Sequence, residues 1–406
     1  MSFSFGFSGD DIDDEGGIHD QDTLVGDISK YSIADANHEE SHTIEPRRHS
    51  LTELLASLPS QISYNTLTIP APTPPTALAD SEYEHAPSST SIHTQSDSIQ
   101  VMRRSLFDIR AQLMAEADPE THDDEADTML AGLENGDLTS GIYEGGFKTW
   151  ECALDLASLV GTQLVDLDAN QDWQVIELGA GSAIPSLALL RAFLTRTGRQ
   201  SRDGNSTAGD AQQLAHFKFT LCDYNEEVLR LCTAPNVLLN YHYHNLPSEH
   251  DASRSGFRPD GPGPEEEGEL DVEDLGGAEA FVSETLQDMH ARRLSFAFLS
   301  GGWGESFLDL IPSPKPERPT NLLILASETI YSPSSSKIFV DNLLRLLRRH
   351  RRGTAKAWVA AKKVYFGVGG GVDEFVADIE HRGGRSKILL ETKDTGVGRV
   401  VMEVTI

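Results

Sequence analysis

Between residues 173 and 406 short apolar runs alternate with helical patterns, and this alternation restricts the fold more than any other feature of the chain. The runs WQVIEL (173–178), FKFTLCD (217–223), LSFAFLS (294–300), NLLILAS (321–327), AKAWVAA (355–361), KILLET (387–392) and RVVMEVTI (399–406) have the length and bulk of strands. IPSLALLRAFLTR follows the first, EVLRLCTAPNVLLNY the second and SSSKIFVDNLLRLLRR the fourth, each with helical spacing. Strands alternating with helices predict βαβ units and a mainly parallel sheet. The last two strands, joined by KDTGVG, predict an antiparallel hairpin. The expected fold class is therefore α/β, Rossmann-like, with seven strands.

The rest of the chain reads differently. Residues 1–100 are rich in Asp, Glu, Ser, Thr and Pro without a sustained apolar period, which predicts a largely disordered acidic region. Within it, Phe3, Phe5 and Phe7 dot the start, and RRHSLTELLASLP carries Ser50 and Glu53 in the spacing of a capping box that opens a short helix. Residues 101–131 form a helical lead-in with apolar positions at 106, 109, 113 and 114. The main domain is expected over 132–406, interrupted by polar insertions at 196–215 and 247–290. Within the second of these, residues 261–290 hold ten acidic residues and no Lys or Arg, the mark of a solvated excursion.

Charge and cysteine content narrow the function. With 64 acidic residues against 33 Lys plus Arg, the net charge of −31 opposes general binding to nucleic acid or anionic membrane. Cys152, Cys222 and Cys232 make no C-x-x-C pair, so neither a disulfide framework nor a structural zinc site is expected, and no metal. The N-terminus lacks the basic start and apolar run of a secretory signal. The most apolar stretch, Ala183 to Leu194, is too short for a bilayer and contains Arg191. A soluble monomer in cytoplasm and nucleus is the expectation.

The chemistry concentrates at strand ends. In VIELGAGSAIPSLALL (175–190) a buried strand ends near Glu177, turns through Gly179 and Gly181 and enters a helix by Pro185. Glycines there permit positive φ and close approach of a ligand, the helix start offers free N–H groups, and the strand-end acid suits a ribose or amino group. Asp223 ends the next strand, where doubly wound folds present a carboxylate to ribose hydroxyls. It lies 44 residues after Gly179, and 24 once the 20-residue insertion 196–215 is removed, against the usual roughly 20. Trp150 and Trp303 offer aromatic faces to a purine or a sulfonium.

Taken together, YEGGFKTWEC (143–152), ELGAG, CDYN, SGGW (300–303), SETIY (327–331), YFGVGGG (365–371) and the Phe-dotted acidic start resemble the seven-β-strand methyltransferases that use S-adenosylmethionine, and among them the protein-histidine N-methyltransferases. The resemblance implies that Thr149, Trp150, Glu151, Cys152 and Ala153 line the cofactor, with Gly179 under its methionine part. It places Asp223, Tyr224 and Asn225 at the ribose and adenine, Gly301, Gly302 and Trp303 at the adenine, and Ser327 at the pocket wall. The common third glycine of the turn is Ala183 here. The implied activity is methyl transfer to a histidine of a large-subunit ribosomal protein.

SETIY puts Glu328 and Tyr331 at the C-terminal sheet edge, and both are candidate catalytic residues, Glu328 as an acceptor that fixes the imidazole tautomer. Glycines 367, 369, 370 and 371 suggest a flexible rim beside the substrate cleft. RLLRRHRR (345–352) ends a helix and offers a basic contact to ribosomal RNA. Two alternatives stay open at this point. One is a lysine methyltransferase of the same fold, and the other a silent adapter built on it.

Overall fold

The computed structural model describes residues 44–71, 98–117, 145–162, 171–202, 215–245, 266–313, 319–350, 353–366, 369–393 and 396–406. In chain order these form β1 (Arg47–His49), α1 (Leu51–Leu54), β2 (Gln61–Ile69), β3 (Ile99–Arg104), α2 (Leu106–Glu116) and α3 (Glu151–Thr162). There follow β4 (Asp172–Leu178), α4 (Ile184–Arg202), β5 (Phe217–Asp223) and α5 (Glu226–Val228), then a π-turn (Leu229–Thr233) that runs into α6 (Ala234–Asn245). The remainder comprises β6 (Glu266–Asp271), α7 (Ala278–Ala291), β7 (Leu294–Ser300), α8 (Glu305–Leu310), β8 (Thr320–Ser327), α9 (Pro333–Arg349), β9 (Ala355–Lys362), α10 (Val372–His381), β10 (Arg385–Thr392) and β11 (Arg399–Thr405).

The main sheet has the order β1-β7-β5-β4-β8-β9-β11-β10. Strands β7, β5, β4, β8 and β9 are parallel, while β11 runs antiparallel between β9 and β10. All seven expected strands lie in this sheet, and the C-terminal hairpin is β10–β11. Successive residues of a strand point to opposite faces, so a sheet covered on both sides reads as a continuous apolar run. Thus Val175, Leu221, Leu323 and Trp358 enter one core, shared with α3, α4 and α6. Their neighbours Ile176, Cys222, Ile324 and Val359 enter the other, under α9 and α10. Chain order reverses on the two sides of β4, which puts the crevice of a doubly wound fold outside the C-terminal ends of β4, β5 and β8.

Three expectations are corrected. The acidic region 1–100 is not uniformly without structure. Residues 1–43 and 72–97 lie outside the described residues, but β1 pairs antiparallel with β7, and β2 forms a second, three-stranded antiparallel sheet of order β3-β2-β6. In β2 the buried Ile62, Tyr64 and Thr66 alternate with more exposed partners, a period-2 signal that its polar composition masks. The insertion 247–290 is not a solvated excursion from 266 onward. It supplies β6 and then α7, whose Phe281, Val282, Thr285 and Met289 are buried at helical spacing. The insertion 196–215 begins inside α4, which continues to Arg202. The expected helices hold: Ser50 and Glu53 close both halves of the capping box of α1, and Ile109 and Leu113 of α2 are buried.

The small sheet is fastened by polar side chains. In α6, Asn240 accepts from the Met102 N–H at 3.0 Å and donates to the Met102 carbonyl at 2.7 Å, while Asn236 accepts from the Arg104 N–H at 2.7 Å. These amides pair with the outer edge of β3 as another strand would, so that edge is closed. Arg104, only 1% exposed, donates to Asp108, Gln112 and the Leu231 carbonyl of the π-turn, which satisfies its buried charge. Replacing Asn240 by Ala leaves the Met102 N–H and carbonyl buried without these partners, at about 1–3 kcal/mol each. Asn240→Ala is expected to lower the urea midpoint with unchanged m, and hydrogen exchange should show β3 deprotected first; an unchanged midpoint would show the clamp contributes nothing.

Candidate active site

The turn after β4 is built backbone against backbone. Gly179 (φ +69°), Gly181 (φ +50°) and Ala183 (φ +57°) all take left-handed conformations. An L-residue there costs roughly 1–2 kcal/mol, so Ala183 carries strain that a glycine would avoid. A Cβ on Gly181 would sit 2.8 Å from the Gly146 carbonyl oxygen, and one on Gly146 would sit 2.7 Å from Val228 Cγ1. The glycines of the YEGG block and of the turn are therefore one packing requirement.

Side chains then lock the turn. Asp223 Oδ2 accepts from the Gly181 N–H at 2.8 Å, and Oδ1 from the Asn225 N–H at 3.2 Å. Thr233 of the π-turn donates to the Gly181 carbonyl at 2.6 Å, and Asn236 donates to that of Ser182 at 3.0 Å. Thr149 Oγ1 lies 2.8 Å from Ser182 Oγ. Gly301 N–H points at the carbonyls of Asp223 and Tyr224, and Gly302 N–H donates to the carbonyl of Ile44. A Cβ on Gly301 would meet Pro46 Cα at 2.6 Å, so the segment just before β1 forms one wall here. No sequence signal marked Ile44 to Pro46 for that role.

Glu177 is the first departure. It does not reach a ribose or amino group, because it is fully buried beneath the start of α4 with Oε2 accepting from the Ser186 N–H at 3.1 Å. Burial pushes its carboxyl up to about 8; the bonds from Ser186 pull the other way, and the nearby Asp223 charge adds to the rise.

The second cluster gathers around Glu328, directly after β8. Glu328 is left-handed (φ +57°), and its side chain is 10% exposed. Its Oε2 accepts from the Tyr365 hydroxyl at 2.5 Å, while its buried Oε1 accepts no hydrogen bond from the described residues. Lys362 Nζ stands 3.9 Å from Oε1 and 3.0 Å from Glu151, and Lys148 and Lys362 both lie over the Trp150 ring, at 5.0 and 5.4 Å. Cys152 is buried against the same carboxylate. Burial and the Glu328 charge raise its thiol far above the ordinary range, so it is a neutral wall atom and not a nucleophile. Thr329, also buried, has an Oγ1 without a hydrogen bond among the described residues, and its methyl would stand 3.0 Å from a Cβ on Gly179.

Of the residues named from sequence, the structure thus brings Thr149, Trp150, Glu151, Cys152, Gly179 and Glu328 to one side of the crevice and Asp223, Tyr224, Asn225, Gly301 and Gly302 to the other. Ala153 is buried beside Cys152 in α3. Ser327 is the half-buried last residue of β8, and the Tyr331 carbonyl accepts from Gly370. Trp303 packs on Phe339 at 5.4 Å between ring centroids, as a partly buried core aromatic. The glycine rim is also corrected: Gly367 lies outside the described residues, and Gly369 to Gly371 form a hydrogen-bonded turn, not an unpinned rim. Lys362, Tyr365 and Thr329 were missed. Lys362 ends β9, Tyr365 follows it and Thr329 follows β8, all at the sheet edge where ligands bind, which is the signal that marks them.

A parallel sheet of this order, its antiparallel C-terminal hairpin and a glycine turn clamped by a strand-end aspartate define an S-adenosylmethionine-dependent methyltransferase. The chain is 34% identical over 274 residues to histidine protein methyltransferase 1 of Schizosaccharomyces pombe, covering 68% of this chain and 67% of that protein. Against histidine protein methyltransferase 1 of Saccharomyces cerevisiae the identity is 29% over 393 residues, 94% of this chain and 91% of the relative. A Rattus norvegicus homolog is 31% identical over 271 residues, 67% of this chain and 59% of its own length. No family model matches. The chain belongs to the histidine protein methyltransferase 1 family.

The residues fit the cofactor this class uses. Two glycines leave no side chain over the turn, and Glu328 Oε1 and Thr329 Oγ1 beside it are buried polar atoms that take no hydrogen bond from the described residues. Glu177 generates a separate prediction. An acid whose folded value is raised stabilises the fold fully only below its ordinary value of 4.5, and that contribution is lost as pH rises through about 8. Glu177→Gln should therefore gain in Tm over the parent protein progressively between about pH 5 and 9. A Tm difference that stays constant across that range would show that Glu177 is not held protonated.

Proposed function

We propose that the enzyme transfers a methyl group from S-adenosylmethionine to an imidazole nitrogen of a histidine in a large-subunit ribosomal protein. The observation that carries the reading is the carboxylate of Glu328, held by Tyr365 on one oxygen and buried without a hydrogen bond on the other. A neutral imidazole has one ring nitrogen with a lone pair and one with a proton, and fixing the second aims the first. Bound cofactor supplies an activated methyl on a sulfonium. The lone pair of an imidazole held by Glu328 would take that methyl, the sulfur keeping the electrons of the broken bond, and the methylated ring would give its N–H proton to water. With an ordinary imidazole value near 6.5, the acceptor needs orientation more than a strong base. Tyr331, at the same edge, belongs to the substrate side in this reading.

The net charge of −31 suits a basic protein partner. An RNA contact through 345–352 receives no support from the described arginines. Arg345 pairs with Glu305 and Asp341, Arg349 with Asp309 and the Leu308 carbonyl, and Arg348 donates to the Arg382 carbonyl. No helix among the described residues is long and apolar enough to cross a membrane. A monomer acting in cytoplasm and nucleus remains part of the proposal.

The test is methyl transfer from labelled cofactor to purified large ribosomal subunits, with mass spectrometry locating the methyl. Label on histidine, with kcat/KM rising through about pH 6.5 to a plateau, is the expected result. Glu328→Ala should lower kcat about a hundredfold with cofactor affinity nearly kept. Asp223→Ala should weaken cofactor binding about tenfold or more in calorimetry, since the turn loses a charged hydrogen bond. Label on lysine would move the function to lysine methylation; cofactor binding without transfer to any protein would leave an adapter.

A further inference from the structure

Tyr365 lies in a loop that the sequence offers as slack, yet its geometry is over-determined. Beyond Lys362 the chain turns back in a bridge between Val364 and Gly371. Tyr365 N–H donates to the Gly370 carbonyl, Gly369 N–H to the Tyr365 carbonyl, and Gly370 N–H to the Tyr331 carbonyl, at 3.0 to 3.1 Å. A Cβ on Gly370 would lie 2.3 Å from the Tyr331 carbonyl carbon and oxygen, so only glycine lets the loop lie flat on the segment that follows Glu328. The phenol is thereby delivered to Glu328 from 37 residues away.

The direction of that hydrogen bond follows from its second partner. The Lys362 backbone N–H, 3.2 Å from the Tyr365 oxygen, is a donor only, so the phenol oxygen accepts there and its own proton goes to Glu328 Oε2. Burial and the Glu328 charge hold the phenol far above its ordinary value, and it stays a donor at any physiological pH. The other groups facing this carboxylate are the Lys362 ammonium, 3.9 Å from Oε1 as an ion pair, and the Cys152 thiol, which hydrogen-bonds to the carboxylate, with Glu151 on the far side of Lys362. None of them takes Oε1 in a hydrogen bond.

We infer that Tyr365 is a positioning residue that decides which imidazole nitrogen receives the methyl, by pinning Glu328 so that Oε1 alone meets the acceptor's ring N–H. The inference rests on the reading of Glu328 as the imidazole's acceptor. With Oε2 occupied and the carboxylate plane fixed, the protonated ring nitrogen has one berth and the unprotonated nitrogen one direction. Without the phenol the carboxylate can rotate, and either nitrogen can be presented.

The test is Tyr365→Phe with purified large ribosomal subunits as the methyl acceptor, followed by hydrolysis and chromatographic separation of 1-methyl- and 3-methylhistidine. The expected result is cofactor affinity within about twofold of the parent, kcat down about tenfold to a hundredfold, and a product that changes from one isomer to a mixture. Tyr365→Phe in a Glu328→Ala background should cost nothing further, because the phenol acts only through the carboxylate. Gly370→Ala, which forces the loop off Tyr331, should reproduce the isomer mixture and carries the test should Tyr365→Phe lose its cooperative melt. A single isomer at undiminished kcat in Tyr365→Phe, or penalties that add to that of Glu328→Ala, would overturn the inference. A fully active Glu328→Ala single variant would instead overturn the reading of Glu328 on which it rests, and the two failures are distinct.

Discussion

One carboxylate holds the crevice together. Asp223 ends β5 and takes the Gly181 N–H of the turn that ends β4, so two parallel strands are tied exactly where their ends must diverge to admit a ligand. Everything near it depends on that tie. With Gly181 fixed, Gly146 can stack on it, Thr233 and Asn236 can reach the turn's carbonyls, and Gly301 can dock its N–H on the Asp223 carbonyl. The cost of a buried charge is met by directed N–H groups, which is the arrangement that makes such a group affordable in a low dielectric.

The other half of the crevice is arranged differently. Around Glu328 the partners come from α3, β9 and the loop after it, and the one ammonium of Lys362 counters one buried and one exposed carboxylate. Left-handed backbone at Glu328 and Ala183 marks both sides of the crevice as places where local conformational preference has yielded to geometry. At Glu328 the yielded preference has a visible purpose, since it turns a strand-end side chain sideways toward Tyr365.

How far this was legible in the sequence differs by element. The central strands of the main sheet could be read because both faces are buried, so Leu322 to Ala326 of β8 appears as an unbroken apolar run. The glycine turn and Asp223 could be read because their chemistry is local. The second sheet could not: β6 is EEGELD, with Leu270 its one buried residue, and it is a strand only because β2 lies beside it. Glu177 misled for the same reason, as its strand-end position suits a ligand while its rotamer goes under α4. Lys362 and Tyr365 matter through a carboxylate 34 and 37 residues upstream, and only their place at the end of β9 hints at it.

The second sheet has a consequence for biosynthesis. Gln61 of β2 pairs across to Glu269 of β6, 208 residues later in the chain. At roughly 5–20 residues per second, β2 waits about 10 to 40 seconds after its own synthesis before its partner strand exists. Through that interval one edge of β2, the strand that carries Ile62, Tyr64 and Ile69, is uncovered. The acidic stretch that finally arrives is well suited to end the wait, because a strand of glutamates closes a sheet edge that neither solvent-borne chains nor a second copy will readily extend.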